Sequence, residues 1–452
     1  MAKRKILFIY PSNEPSFPLQ IAALSAYVKR SGHEASMLPL IIPKYLESSH
    51  MDDIKHKIEE YRPDFIGFSS YETAFPWITE ISHYIKTLWP KIRIIVGGYY
   101  ATLVPEEVIS CPDIDIVCRG EGEIPLDEIM SDEENRKDIL GLWIKRYGEI
   151  FKNSVRPLIE DLNSLPYPDR EIFDYQEHLN YEPVGERNVK VMATRGCPYQ
   201  CTYCSNVFLR KNFPNQDKYL RFRSPQNVID EIKELKSKYI FERVGFHDDN
   251  LTLDTNWLKE FSKIYREEIN LPFYCATRVE RCTDEIIDIL KEAGCDLVLL
   301  GIESGNEKYR KEMMKRYMSN EEIVNAFKRL KKKGILTWSF VMVGLPDEKR
   351  RMILETMWLN LRCNPDFVMA SIFFPLKGTE LGDYCYKKNY VNEKKKILVH
   401  SYAWDTILNH PFLSSFEIRM AKYLNSFTAF RSKFFWKVVG DRLRSRFFTP
   451  KH

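Results

Sequence analysis

Over the first 130 residues, short and continuously apolar runs alternate with helical periodicities. The runs occupy 6–10, 65–69, 92–96 and 114–118, with a weaker one at 34–40. Between them, 19–30, 51–61, 76–88 and 123–130 carry apolar positions at the three-to-four spacing of helices. Strands that are apolar throughout and separated by helices predict a parallel sheet covered on both faces. The pattern therefore predicts a five-stranded doubly wound domain over residues 1–140. Ligands of such a domain sit at the C-terminal strand ends, here 11–18, 69–75, 97–101 and 119–122.

Residues 131–188 are first charged and then rich in proline, which predicts a strand pair at 142–151 and then an extended linker; 141–188 is read as the joining segment. A second alternation begins at residue 189. Apolar runs at 189–194, 243–247, 273–276, 297–301, 336–343 and 367–373 alternate with helical patterns at 225–238, 255–267, 283–293, 320–333 and 349–362. Six consecutive strand–helix units over 189–385 predict a partial (β/α)6 barrel, whose chemistry belongs at the C-terminal strand ends. A second open sheet is the alternative. The fold class is α/β: a Rossmann-like domain, a barrel, and a helical C-terminal region over 386–452.

A length of 452 residues agrees with two or three domains. Hydrophobic residues at 44%, charged residues at 29% and no apolar run near 18 residues describe a soluble chain. The apolar run at 6–10 is ended by Pro11, too soon for the core of a secretion signal, so a cytoplasmic location is expected. In that compartment ten cysteines are not a disulfide framework. Seven of them are scattered and read as small buried residues.

Net charge is +4 but uneven, with fourteen Lys/Arg against four Asp/Glu over 384–452. In that region Phe416, Met420, Tyr423, Phe427, Phe430, Phe434 and Val438 recur at alternating steps of four and three, one apolar face of a long helix. Two readings follow: a helix packed on the barrel through this face, or a basic aromatic face in peripheral contact with an anionic membrane. No nucleic-acid module accompanies the charge, and nucleic acid is not an expected partner.

The remaining three cysteines cluster in Thr194-Arg-Gly-Cys197-Pro-Tyr-Gln-Cys201-Thr-Tyr-Cys204-Ser-Asn206, after the first barrel strand. Three thiolates at this spacing can cap three corners of an iron–sulfur cubane, where four are the usual set. One iron is then left open for a small molecule. A structural zinc would want a fourth ligand, and the nearest following histidine is His247, a whole helix away.

C-x3-C-x2-C with Tyr203 ahead of the last cysteine, placed after a barrel's first strand, resembles the radical S-adenosylmethionine (SAM) superfamily. The resemblance implies a 4Fe–4S cluster on Cys197, Cys201 and Cys204, with SAM chelated to the open iron. An electron from a donor such as flavodoxin or ferredoxin then yields a 5′-deoxyadenosyl radical that abstracts hydrogen from carbon. It places SAM against Tyr203 and the strand tops: Asp248 in Phe246-His-Asp-Asp-Asn250, Arg278 after the third strand, and Glu303 and Ser304 in Gly301-Ile-Glu-Ser-Gly305.

Ahead of the barrel, Ser69-Ser70, Val96-Gly97-Gly98 and Arg119-Gly-Glu121-Gly-Glu123 resemble the cobalamin-binding domain of cobalamin-dependent radical SAM enzymes. That implies cobalamin against Ser69, Ser70, Gly97, Gly98 and Glu121. The loop 11–18 has no histidine to serve as a lower cobalt ligand, so cobalamin would bind without one. The resemblance implies methylation of an unactivated carbon of an organic substrate through methylcobalamin. Radical cyclisation or rearrangement is the second enzyme reading. A non-catalytic cluster and cobalamin sensor is the third, and no signalling module accompanies it. Aromatic content of 13% and the tail favour a large apolar substrate.

Overall fold

The computed structural model describes residues 3–13, 17–42, 45–132, 136–180, 187–395 and 405–430. The five apolar runs form β1 (Lys5–Ser12), β2 (Glu34–Ile41), β3 (Phe65–Ser69), β4 (Arg93–Gly97) and β5 (Ile116–Cys118), parallel in the order β2-β1-β3-β4-β5. Successive residues of β1 enter different cores: Leu7 and Ile9 pack on one face of the sheet, Ile6 and Phe8 on the other. A strand buried on both faces cannot alternate apolar with polar, which is why these runs are continuous.

The strand pair expected to open the linker belongs instead to this sheet. β6 (Leu142–Arg146) and β7 (Glu149–Lys152) extend it antiparallel from β5, giving seven strands rather than five. Leu142 and Ile144 share a core with Ile116, so the hairpin covers what would otherwise be an open edge at β5.

The second region begins with β8 (Asn188–Val191). The chain then forms β9 (Thr194–Arg195), which pairs antiparallel with β10 (Arg221–Phe222). β11 (Arg243–Phe246), β12 (Phe273–Thr277), β13 (Cys295–Glu303), β14 (Leu336–Val343) and β15 (Phe367–Ile372) complete a six-stranded parallel sheet in the order β15-β14-β13-β12-β11-β8. The partial barrel is thus formed by the six expected runs. The cysteine segment lies between β9 and β10, together with an unanticipated helix at Ser205–Asn212.

The C-terminal helix Ser415–Ser426 lies against β14 and β15. It packs through Ile418 and Ala421, which share a small core with Val343, Ile372 and Leu413. Packing on the barrel through the aromatic stripe, one of the two readings of the sequence, does not occur: Phe416, Met420 and Tyr423 are exposed. The stripe's continuation at Phe434 and Val438 lies outside the described residues. Among the described residues no helix is long and apolar enough to cross a membrane.

Arg170, in the joining segment, is held in the barrel wall. Its guanidinium lies 2.9 Å from Glu231 and donates to the Lys190 carbonyl at 2.7 Å. Arg223 also bonds Glu231, and all three side chains are buried. Truncating the shared carboxylate strands two buried cations. Glu231→Ala is expected to cost about 3–5 kcal/mol, read as a lowered urea midpoint; Glu231→Gln should cost less.

Candidate active site

The cysteine loop is set by its two ends. At the entry, Gly196 has φ +92°, and a Cβ there would lie 2.2 Å from the Tyr219 carbonyl oxygen. Only glycine lets the loop turn this close to β10. The strand leading in is fixed by Asp248, whose carboxylate accepts from the Ala193 and Thr194 amides at 3.0 and 2.5 Å and from the Thr194 hydroxyl at 2.5 Å. Asp248 therefore anchors the scaffold beneath the loop. Its neighbour Asp249 faces the cleft beside Asn206, which also donates to the Cys204 sulfur at 3.7 Å.

Two arginines converge on Cys201. Arg278 donates to its sulfur at 3.1 Å, stacks 3.8 Å from the Tyr199 ring centroid, and forks onto Glu280. Arg316 approaches the same sulfur at 3.9 Å, donates to the Tyr203 hydroxyl at 3.2 Å and to the Gly301 carbonyl at 2.5 Å, and lies 3.9 Å from Glu303. Glu303 sits at an irregularity of β13 with φ +68°, a rare conformation for a residue with a side chain. Gly301 makes the room: a Cβ there would lie 2.3 Å from the Glu303 carboxylate. Burial pushes the Glu303 carboxyl up, against the pull of Arg316.

Sequence reasoning missed Arg316. It lies beyond the helix Glu307–Glu312, well past the end of β13, in no motif, and only tertiary contact brings it to Cys201.

Cys197, Cys201, Cys204, Tyr203, Arg278 and Glu303 are thus brought together. Ser304 is not: it is fully buried, and its hydroxyl accepts from the Asn306 amide. Ser70 is likewise internal, with its hydroxyl donating to the Gly97 carbonyl at 2.7 Å. Ser69, Gly97 and Gly98 line a cavity of about 750 Å³ between the two sheets, whose far wall includes Gly196, Ser205 and Asp249. Glu121 borders this cavity with its carboxylate engaged by Arg195 at 2.8 Å and Arg221 at 2.9 Å. A second cavity, of about 500 Å³, is walled by Tyr10, Tyr71, Tyr99, Tyr203, Phe373 and Phe374 with a few small polar side chains, and among the described residues no charged side chain lines it. Tyr99 borders both cavities.

Among the described residues no three His, Cys, Asp or Glu side chains converge tightly enough for a single metal ion. A cubane spreads its thiolates more widely, and three thiols with arginine donors on one sulfur suit it. Burial pushes the unligated Cys204 thiol up to about 11, so its proton must leave on ligation.

Two family models match the chain: the radical SAM superfamily over residues 191–358 and the B12 binding domain over 12–130. The chain carries a radical SAM domain. Its barrel follows a B12-binding domain, and the pair implies a 4Fe–4S cluster, SAM and cobalamin as cofactors. The enzyme is 28% identical to an uncharacterized methyltransferase of Pyrococcus horikoshii over 403 residues, 86% of this chain and 84% of that protein. It is 25% identical to the cytidylyl-2-hydroxyethylphosphonate methyltransferase of Streptomyces wedmorensis, over 90% and 84% of the two chains. The fold is that of the radical SAM methyltransferase TsrM of Kitasatospora setae, solved with cobalamin and a [4Fe–4S] cluster. The TM-score is 0.67 at 18% identity, over 86% of this chain and 78% of that one.

Burial pushes the Asp248 carboxyl up to about 6, against the hydrogen bonds it accepts. The folded state then binds the proton more tightly than the unfolded one. Stability from this group is full below about pH 4 and is lost as pH rises to about 6, by up to roughly 3 kcal/mol. Urea midpoints of wild type and Asp248→Asn, taken from pH 4 to 7, should diverge in that window alone. A constant difference throughout would contradict the assignment.

Proposed function

We propose that the enzyme transfers a methyl group to an unactivated carbon of an organic substrate bound in the 500 Å³ cavity. The observation that carries the reading is the position of this cavity. Tyr203 of the cluster loop forms one wall, and Tyr99, which also borders the cavity of the B12-binding domain, forms another. A carbon held there faces both cofactor sites at once. When bound, the cluster and SAM supply hydrogen abstraction from carbon and cobalamin supplies the methyl group.

The chain's own residues bind and orient. Cys197, Cys201 and Cys204 hold the cluster. Arg278 and Arg316 place positive charge against Cys201, which suits a carboxylate ligand beside it. Glu303, with the Tyr203 hydroxyl, offers acceptors for the hydroxyl and amino groups of SAM. Ser69, Gly97 and Gly98 line the cavity offered to cobalamin, and Gly98 is further constrained. Its φ is +91°, and a Cβ would lie 2.7 Å from the Ser70 backbone. The described wall of the smaller cavity is mostly aromatic and uncharged, which supports an apolar substrate. The methyltransferase names of the two relatives support the same reaction class. The electron donor is a flavodoxin or ferredoxin, replaced by dithionite in the tests.

Anaerobic reconstitution with iron, sulfide, cobalamin, SAM and dithionite tests the reading. Formation of 5′-deoxyadenosine together with a methylated product is expected from candidate apolar substrates. 5′-Deoxyadenosine with an unmethylated, rearranged product would replace methylation by radical rearrangement. Cys201→Ala should lose cluster iron and all SAM cleavage, read by iron content and 5′-deoxyadenosine; wild-type cleavage would remove the cluster assignment. Gly97→Trp is the cleaner pocket test, because the new Cβ meets nothing closer than 3.5 Å. It should abolish cobalamin retention on gel filtration while leaving cluster absorption intact.

A further inference from the structure

The C-terminal helix inverts the usual amphipathic arrangement. Its inward side is built from Ile418, Ala421 and Asn425, and its outward side carries Phe416 at 64% exposure, Met420 at 40%, Tyr423 at 46% and Leu424 at 45%. These positions are separated by four, three and one residues, so they form one stripe along the helix. Phe412, just before the helix and 46% exposed, extends it, with the Lys349 ammonium 5.4 Å from its ring centroid. A contiguous exposed apolar surface of this kind marks an interaction site.

The charge around the stripe selects the occupant. Lys349, Arg350 and Arg351 stand at the start of the neighbouring helix, where Arg350 bonds Glu417. Residues 431–452, which follow directly, contain seven Lys/Arg against one Asp, interleaved with Phe434, Phe435, Trp436, Phe447 and Phe448. A basic, aromatic segment has no charge complementarity to a face that is itself flanked by cations, nor has a second copy of the same face. An anionic surface that also accepts aromatic rings satisfies both properties.

We propose that this face docks on the surface of an anionic lipid bilayer, with Phe412, Phe416, Met420, Tyr423 and Leu424 entering the interface and the flanking cations Lys349, Arg350 and Arg351 meeting the headgroups. Docking also bears on substrate entry. Ile418, on the inner side of the same helix, packs in one cluster with Ile372, and Ile372 lines the 500 Å³ cavity. One layer of side chains separates the docked helix from the substrate site, the arrangement an apolar substrate drawn from the lipid phase requires. The docking itself does not depend on methyl transfer.

Vesicle flotation of the full chain, without SAM, is the test. Wild type should float with vesicles of phosphatidylglycerol and phosphatidylcholine and stay behind with phosphatidylcholine alone. The double variant Phe416→Ser, Leu424→Ser should bind the anionic vesicles about tenfold less, with cluster absorption after reconstitution showing that it is folded. Wild type that fails to float, or a variant that floats equally, overturns the proposal. A concentration-dependent dimer in sedimentation velocity, dispersed by the same two substitutions, also overturns it and assigns the face to a second copy.

Discussion

Arg195, two residues before the first cluster cysteine, reaches out of the barrel to two carboxylates of the other sheet's domain, Glu121 at 2.8 Å and Glu123 at 2.6 Å. Arg221, paired across β10 with Arg195, reaches Glu121 from the other side at 2.9 Å, and the Ile159 amide donates to the same carboxylate. The cluster loop is therefore pinned to the B12-binding domain by its own flanking strands. Ion pairs in such an enclosed setting contribute modest net stability, because desolvation offsets their attraction. What they fix is register. The angle between the sheets, and hence the shape of both cavities, is set within a few residues of the cysteines.

The same constraint accounts for how the sequence divides into legible and illegible parts. Strand positions in the first domain were readable because its sheet is buried on two faces, so β1, β3 and β4 left continuous apolar runs; β12 and β14 of the barrel alternate buried with partly buried positions and were readable from their apolar content and their alternation with helices. The cysteine spacing was readable because cluster ligation needs its ligands within one loop. Residues acting through tertiary contact left no such trace. Glu121 reads as part of a glycine-rich cofactor turn, yet its carboxylate serves the domain junction. Asp248 and Asp249 are adjacent, and nothing in their sequence separates the scaffold anchor from the residue facing the cleft. Burial and the donors on Ala193 and Thr194 do. The tail's periodicity was plain, but periodicity defines a face without saying whether protein covers it.

Charge distribution at the centre follows a consistent physical logic. At Cys201, Arg278 and Arg316 both approach one sulfur. Cations there offset the negative charge that thiolates and a reduced cluster accumulate in a low-dielectric site. A few residues away, the cavity proposed for the substrate carries no charged side chain among the described residues. The steep change in charge agrees with a cluster on one side and, as proposed, a neutral carbon skeleton on the other.

Four tyrosines in that cavity wall raise a chemical problem, because a phenolic O–H is a hydrogen-atom donor and the proposed reaction would place a carbon-centred radical among them. The geometry reduces the hazard at the two for which hydroxyl partners are resolved. Tyr71 donates to the Pro11 carbonyl at 3.1 Å. Tyr203 is held between Arg316, which donates to its oxygen at 3.2 Å, and the Glu303 carboxylate, which takes its proton as a hydrogen bond. A phenol whose hydrogen is bonded away from the cavity must break that bond before it can quench a neighbour, and in a site with little water the lost bond is not replaced. The strained backbone at Glu303 thus has a second consequence. By bringing its carboxylate to Tyr203, it holds the phenol's reactive hydrogen in a hydrogen bond.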